Sequence, residues 1–338
     1  MLHAYNTISI PFLITNPQQT RTNSQQTAAY VDDANIKAGL PSNSTIRDII
    51  NIVTKNANTW EKLLWRTGGK LEISKCSIVI MKWIALPNGT FRLLTPQELP
   101  IPISINDSDT NQPITIPQLP PNKAYKYLGV KLCADGLHTP HKQHLLQRSR
   151  CYAKAIQLCP LDRQGINIAY YCCYLPAITY SLPATSFHED DLHDIQNEAT
   201  SSFLSRLGFN RHFPSKVVYA PKWFGGLGLR HLHCEQGIGK LQQLLGHIRA
   251  NTSLGRLFLT NIDWFQQLSG LPRPILQLTT PIPGTRNQWI ASLRSFLRET
   301  QTTIKLSTKW NHPPSASMTN TSCLYLQLQT SRPLTLRN

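Results

Sequence analysis

Residues 25–36, QQTAAYVDDANI, set two carboxylates side by side: Asp32 and Asp33. A run ending in Tyr30-Val31 precedes them and one beginning Ala34-Asn35-Ile36 follows. Adjacent ionised carboxylates repel, so a chain that keeps both charged offsets the repulsion with solvent or a cation. A strand on either side makes the pair the tip of a hairpin. Such a tip aims its oxygens at one point, which suits Mg²⁺ and its near-octahedral oxygen ligation. A plain polar turn is the other outcome these residues allow.

Four further stretches carry chemistry-bearing types. HTPHKQH spaces His138, His141 and His144 three apart, and HLHC gathers His231, His233 and Cys234. Neither has the paired cysteine spacing of a structural zinc site, so surface or phosphate-facing histidines are expected. FHEDDLHDIQNE collects Glu189, Asp190, Asp191 and Asp194, the acidic start that a helix macrodipole favours without any metal. GGLGL, residues 225–229, lacks the Lys-Ser/Thr of a phosphate-binding loop. The eight cysteines include no CxxC pair, which points to free thiols in a reducing compartment, and adjacent Cys172-Cys173 are expected to pack in a core.

Charge says what kind of partner suits these groups. Over 338 residues, 34 Lys+Arg stand against 18 Asp+Glu, a net charge of +16 that fits a polyanion. The excess is uneven, with residues 1–135 at +4, 136–250 at +5 and 251–338 at +7. MLHAYNTISIPFLIT has no basic start, and no apolar run approaches the roughly 18 residues of a membrane span, so neither secretion nor a membrane partner is expected.

The elements that would position these residues divide into three regions. In residues 1–135, STIRDIINIVTKNANTWEKLL spaces Ile46, Ile49, Ile50, Val53, Ala57, Trp60 and Leu64 along one helical face. Ser42, Asn43 or Ser44 would cap this helix and Gly68-Gly69 would end it. KLEISKCSIVIM reads as extended, residues 96–122 as a loop or weak hairpin, and AYKYLGVKL as one more strand. Residues 136–250 are helical, with stripes Leu145, Leu146, Tyr152, Ala155, Ile156; Leu192, Ile195, Ala199, Phe203, Leu207; and Ile238, Leu241, Leu245, Ile248. Residues 251–338 are Pro-, Thr- and Gln-rich, with one short helix at QWIASLRSFLRE and a poorly ordered end. The expected class is α+β: an antiparallel sheet with a flanking helix, a helical region and a basic tail.

Taken in order, Tyr30-Val31-Asp32-Asp33, then GGKLEISKC (residues 68–76), then YLG (127–129) resemble the palm of a reverse transcriptase. LSRLGFNRHFPSKVVYAPKWFGGLGL, residues 204–229, is similar to the helical region downstream of the palm in non-LTR retrotransposon polymerases. The resemblance implies RNA-templated DNA synthesis by two-metal phosphoryl transfer, with RNA template and DNA primer as partners. It makes Asp32 the main Mg²⁺ ligand and Asp33 its support, and sets Tyr30 near the primer end. Lys75 would lie close to the incoming triphosphate, while Tyr127, Leu128 and Gly129 would position the primer backbone. The helical region would act as a thumb, in which Lys142, Arg148, Arg150 and Lys154 follow the RNA–DNA hybrid.

The resemblance covers only the later part of a palm. The family's site needs another aspartate from an upstream strand, whereas 29 residues precede Tyr30 and Asp32 is the first acidic residue. Mg²⁺ is therefore expected to bind weakly, and the chain by itself not to polymerise. Two functions remain: a piece of an RNA-directed DNA polymerase, or a non-catalytic nucleic-acid-binding protein of retrotransposon origin.

Overall fold

The structure is a computed structural model that describes residues 2–306, apart from 26, 31–32, 42, 100, 111, 279 and 283–287. The expected poorly ordered end lies outside the described residues, as does Asp32. The class is α+β: ten α-helices and five two-stranded ribbons among the described residues. The chain forms two compact units, residues 1–14 with 22–141, and residues 15–21 with 142–338.

The first unit is built on one long helix. After α1 (Leu2–Ile8), the ribbon β1 (Phe12–Thr15)/β2 (Thr22–Gln25) and the hairpin β3 (Thr27–Tyr30)/β4 (Asp33–Ile36) comes α2, Ile46–Arg66. Its cap is Thr45, one residue beyond the expected candidates. The Thr45 hydroxyl accepts from Asp48 N at 3.2 Å, and the Asp48 carboxylate accepts from Thr45 N at 2.9 Å. This reciprocal box needs an acidic or amide side chain three residues on, which Thr45 alone has. The Thr45 hydroxyl, which also donates to the Asp48 carboxylate at 2.7 Å, and then the Thr45 N–H hold that carboxyl below its ordinary range. At the other end Gly68 turns left-handed (φ +80°) and Gly69 N–H reaches Leu64 O at 3.0 Å, so the glycine pair ends the helix as expected.

The apolar stripe of α2 faces inward. Ile50, with Ile46, Ile49 and Val53 beside it, packs against Ile80, Leu94 and Ile103. Trp60 is buried edge-on to Tyr5 of α1 at 5.3 Å, and burial pushes the Tyr5 phenol up to about 12. Buried Glu61 accepts from the backbone and hydroxyl of Ser108, and Asn58 Oδ1 accepts from Asn106 N at 2.8 Å.

Three expectations for this unit are corrected. KLEISKC is not a strand: residues 73–75 form a one-turn 3-10 helix, closed by Lys75 N–H to Glu72 O and Cys76 N–H to Ile73 O, both 3.0 Å. The Ser74 hydroxyl donates to the Glu72 carboxylate, a local bond that competes with strand pairing. AYKYLGVKL is not one strand but two, β9 (Tyr125–Tyr127) and β10 (Val130–Leu132). Finally, the strands form separate ribbons rather than one antiparallel sheet: β5 (Trp83–Ala85) with β6 (Phe91–Leu93), and β7 (Ser104–Asn106) with β8 (Pro113–Thr115). Seven prolines between residues 96 and 121 remove the donors that longer ladders need.

The second unit is helical, and the boundary falls within α3 (Thr139–Leu158). α4 (Arg163–Ala169), a π-helical turn at Tyr170–Tyr174, α5 (Leu175–Thr179) and α6 (Glu189–Arg206) follow. Their core holds Leu145, Ile156, Ile166, Ile178, Leu192, Ile195, Ala199 and an aromatic knot in which Phe203 meets Tyr170 at 5.1 Å and Tyr174 at 5.2 Å. The α6 stripe is as expected. On α3 the inward alanine is Ala153, not Ala155. Cys172 and Cys173 are exposed, contrary to expectation. Pro176 has no N–H to return to the Cys172 carbonyl, so the turn widens until Leu175 N–H reaches Tyr170 O, and the tyrosines take the core positions.

After α7 (Ser215–Tyr219), α8 spans Leu232–Arg249 and buries a face offset from the expected stripe. Ile238 and Leu245 are exposed; Leu232, Gln236, Gly237, Lys240 and Leu244 are buried. Polar side chains with partners sit inside, and Gly237 lets the Phe296 ring approach to where a Cβ would stand 2.2 Å away. The region from residue 251 adds a 17-residue helix that the sequence reading missed, α9 (Ser253–Ser269), and the expected α10 (Gln288–Glu299). Both pack on α8 around Leu244, Phe265, Ile275, Ile290, Leu293 and Leu297. The loop 15–21 belongs here too: Arg21 pairs with Asp263 at 3.1 Å, and Trp264 Nε1 donates to Thr15 O at 2.8 Å.

Candidate nucleic-acid interface

The hairpin β3/β4 pairs Thr27 with Ile36, Ala28 with Asn35, Ala29 with Ala34 and Tyr30 with Asp33. Asp33 therefore opens the returning strand rather than sitting in the turn, and the residues between the paired positions are Val31 and Asp32. Asp33 is exposed. The side chain of Tyr30, like Asp32, lies outside the described residues.

The YLG segment is a tight hairpin in which Val130 pairs with Tyr127 and Leu132 with Tyr125. Leu128 and Gly129 form its two-residue turn with φ +47° and +82°. Positive φ at both positions is the type I′ geometry that matches strand twist. This ribbon lies on the first one: the Tyr127 hydroxyl donates to Ala28 O at 3.4 Å, and Tyr125 hydrogen-bonds Asn35. Two motifs about a hundred residues apart in sequence thus meet at the YVDD hairpin.

Leu128 holds a left-handed conformation that a leucine adopts at a cost of about 1 kcal/mol. Leu128→Asn is expected to raise stability by that amount in a urea melt. If the leucine side chain meets primer, the same variant binds RNA–DNA hybrid more weakly while melting later. An unchanged melt would show that the turn stores no strain.

Lys75 stands exposed on its 3-10 turn with the Glu72 carboxylate as charge neighbour. Among the described residues, no group of three metal-ligand side chains forms at the YVDD hairpin. Of the two carboxylates expected there, Asp33 alone lies among the described residues.

The cations expected on the helical region split into two sets. Lys142 is held by Asp191 at 2.6 Å and Asp194 at 2.9 Å, and Arg150 by Glu198 at 2.6 Å. The acidic start of α6 therefore serves as partner to α3, and both aspartates raise the Lys142 pKa. Arg148 and Lys154 are exposed, as are Arg211, Lys216 and Lys222 further on. Arg206 is structural instead, donating to the carbonyls of Cys159 and Leu161 at 2.7 and 2.8 Å.

The histidine clusters have separate fates. His141 is buried and its Nδ1 accepts from Lys131 N at 3.2 Å. His233 Nε2 lies 2.6 Å from Glu299, and Glu189 joins them so that one ligand atom from each falls within 4.8 Å of the others. Burial, then His233, lowers the neighbouring His231 pKa. Sequence spacing gave no sign of this convergence, because its members come from three helices. No protein-family model, curated protein or solved structure matches the chain.

Proposed function

We propose that the chain is a reverse-transcriptase-derived nucleic-acid-binding protein, with the later part of a palm in its first unit and a thumb-like helical second unit. Its partner on this reading is RNA template paired to DNA primer. The observation that carries the proposal is the contact between the YLG and YVDD hairpins through the Tyr127 hydroxyl and Ala28 carbonyl and through Tyr125 and Asn35, which joins two motifs named from sequence alone. Charge supports it further, at +16 overall. The family's Mg²⁺ would sit at Asp32 and Asp33, together with a further carboxylate that two-ion chemistry needs beside them. The hairpin, through its exposed Asp33, would approach the primer end, and the helical unit would follow the backbone by shape and charge.

Fluorescence anisotropy against a labelled RNA–DNA hybrid tests the proposal. Five exposed cations, Arg148, Lys154, Arg211, Lys216 and Lys222, engage phosphates and release counterions. Affinity of micromolar order at low salt should then fall a few hundredfold between about 50 and 200 mM salt. With primer, template, dNTPs and Mg²⁺, the same sample should extend nothing. Affinity indifferent to salt, or no binding by a folded sample, sinks the proposal.

A further inference from the structure

Trp223 and Phe224 are 81% and 78% exposed, far more than large aromatics usually are. Their exposure does not come from a loose loop. They end the one-turn 3-10 helix Lys222–Phe224, and every backbone N–H from Phe224 to Leu229 is bonded. Phe224 and Gly226 donate to Pro221 O, Gly225 to Lys222 O, Leu227 to Val217 O, Gly228 to Ala220 O and Leu229 to Val218 O, at 2.9–3.2 Å. The Tyr171 hydroxyl fixes the Gly228 carbonyl at 2.7 Å, and the buried Leu229 anchors the far side.

Glycine is required where this turn closes. Gly225 sits at φ +79°, and a Cβ on Gly226 would meet the Ala220 carbonyl oxygen at 2.1 Å. The fold thus fixes a platform and points two rings at solvent, with centroids 6.1 Å apart and planes inclined by 51°. The surroundings select an anion. From residue 199 to 234 there is no Asp or Glu; Arg206 is spent on carbonyls and Arg230 pairs with Glu235 at 3.0 Å, which leaves Arg211, Lys216 and Lys222 exposed. Lys216 and Lys222 flank the rings in sequence and are exposed.

We propose that Trp223 and Phe224 form a stacking platform for unpaired bases of single-stranded nucleic acid, with Lys216 and Lys222 holding the adjoining phosphates. Aromatic faces beside mobile cations bind single strands with little sequence preference, because every base offers a π face. A paired base inside a duplex cannot reach such a platform, so the site distinguishes unpaired template or flap from hybrid. The proposal rests on the nucleic-acid reading above and shares Lys216 and Lys222 with it, but adds Trp223 and Phe224 and a different strand state.

The test compares anisotropy of a labelled single-stranded oligonucleotide with that of an RNA–DNA hybrid, using the full chain and the double variant Trp223→Ala/Phe224→Ala. Because both rings are exposed, circular dichroism and melting of the variant should match the parent. Single-strand affinity should fall at least about tenfold, with hybrid affinity and the salt slope unchanged. Trp223→Phe/Phe224→Tyr should restore it, and Lys216→Gln/Lys222→Gln should lower the salt slope by about 2. Equal losses on single strand and hybrid, or no loss on either, overturn the platform while leaving the nucleic-acid reading standing. Failure of the parent chain to bind either probe overturns the nucleic-acid reading and the platform with it. A change of molecular mass in the double variant, measured by light scattering, overturns the platform by showing that the rings bind a second copy.

Discussion

Ending the chain at residue 250 is expected to unmake the far side of the helical unit rather than merely remove positive charge. Composition alone marks residues 251–338 as a detachable basic tail at net +7. In the fold, α9 and α10 cover α8, where Leu244 is buried and Leu241 and Ile248 are partly so against Phe258, Ile262, Phe265, Ile290 and Leu293. Uncovering those three positions forfeits about 5 kcal/mol at roughly 1.5–3 kcal/mol per large apolar side chain. In a domain of this size that lowers the melting temperature by about 10–20 °C. It also removes Ser292 and Trp289 from around Lys240. Arg294 adds to the case, since this cation of the basic region is spent on the carbonyls of Ile275, Leu278 and Thr280 at 2.9, 3.2 and 2.8 Å. Circular-dichroism melting with limited proteolysis decides the matter. A truncated chain that melts with the parent would show that the second core contributes nothing.

The contrast between this region and α2 explains what the sequence could and could not reveal. α2 was legible because its buried face is apolar at helical spacing and its ends carry local signals, the Thr45–Asp48 box and the Gly68-Gly69 stop. The α6 stripe was legible for the same reason. α8 was misread because Gln236 and Lys240 lie inside, made tolerable by partners from other segments: Phe187 N–H for Gln236, and Ser186 and Ser292 for Lys240. α9 was missed because Gly255 and β-branched Thr260 weaken its propensity; Gly255 is there for close approach, its Cβ position standing 2.2 Å from the His247 carbonyl oxygen. The candidate site divides the same way. The YVDD hairpin shows in local pattern, whereas its meeting with Tyr127, the capture of Lys142 by α6, and the exposure of Trp223 are decided by tertiary packing.

Lys240→Met is expected to stabilise the protein, most strongly at and below neutral pH. Lys240 lies on α8 with no exposed surface. Its Nζ donates to Ser186 Oγ at 3.1 Å and Ser292 Oγ at 2.8 Å, and sits 5.4 Å from the centre of the Trp289 ring. These neutral partners offset only part of the loss of water, and burial pushes its pKa down to about 7 from 10.5. The sign follows from proton counting. Between about pH 7 and 10.5 the unfolded chain holds the Lys240 proton and the folded one releases it, so stability rises with pH across that window. Below pH 7 the folded state carries the full penalty, on the order of 5 kcal/mol at about 1.4 kcal/mol for each of the 3.5 pH units between 10.5 and about 7. Methionine fills similar volume without a charge, and the two serines it leaves without this donor take back part of the gain. The net expectation is a rise of about 5–10 °C in melting temperature at pH 7. Above pH 10 a second effect reverses the slope, because burial raises the Tyr5 and Tyr174 phenols to about 12 and the unfolded chain ionises its tyrosines first. The parent should therefore gain stability from pH 7 toward 10 and lose it beyond, whereas the variant should be nearly flat over the first interval. Urea melts at unit pH steps from 6 to 12 give both curves. A parent whose stability does not rise between pH 7 and 9, or a variant weaker at every pH, would show that Lys240 is comfortably charged where it lies.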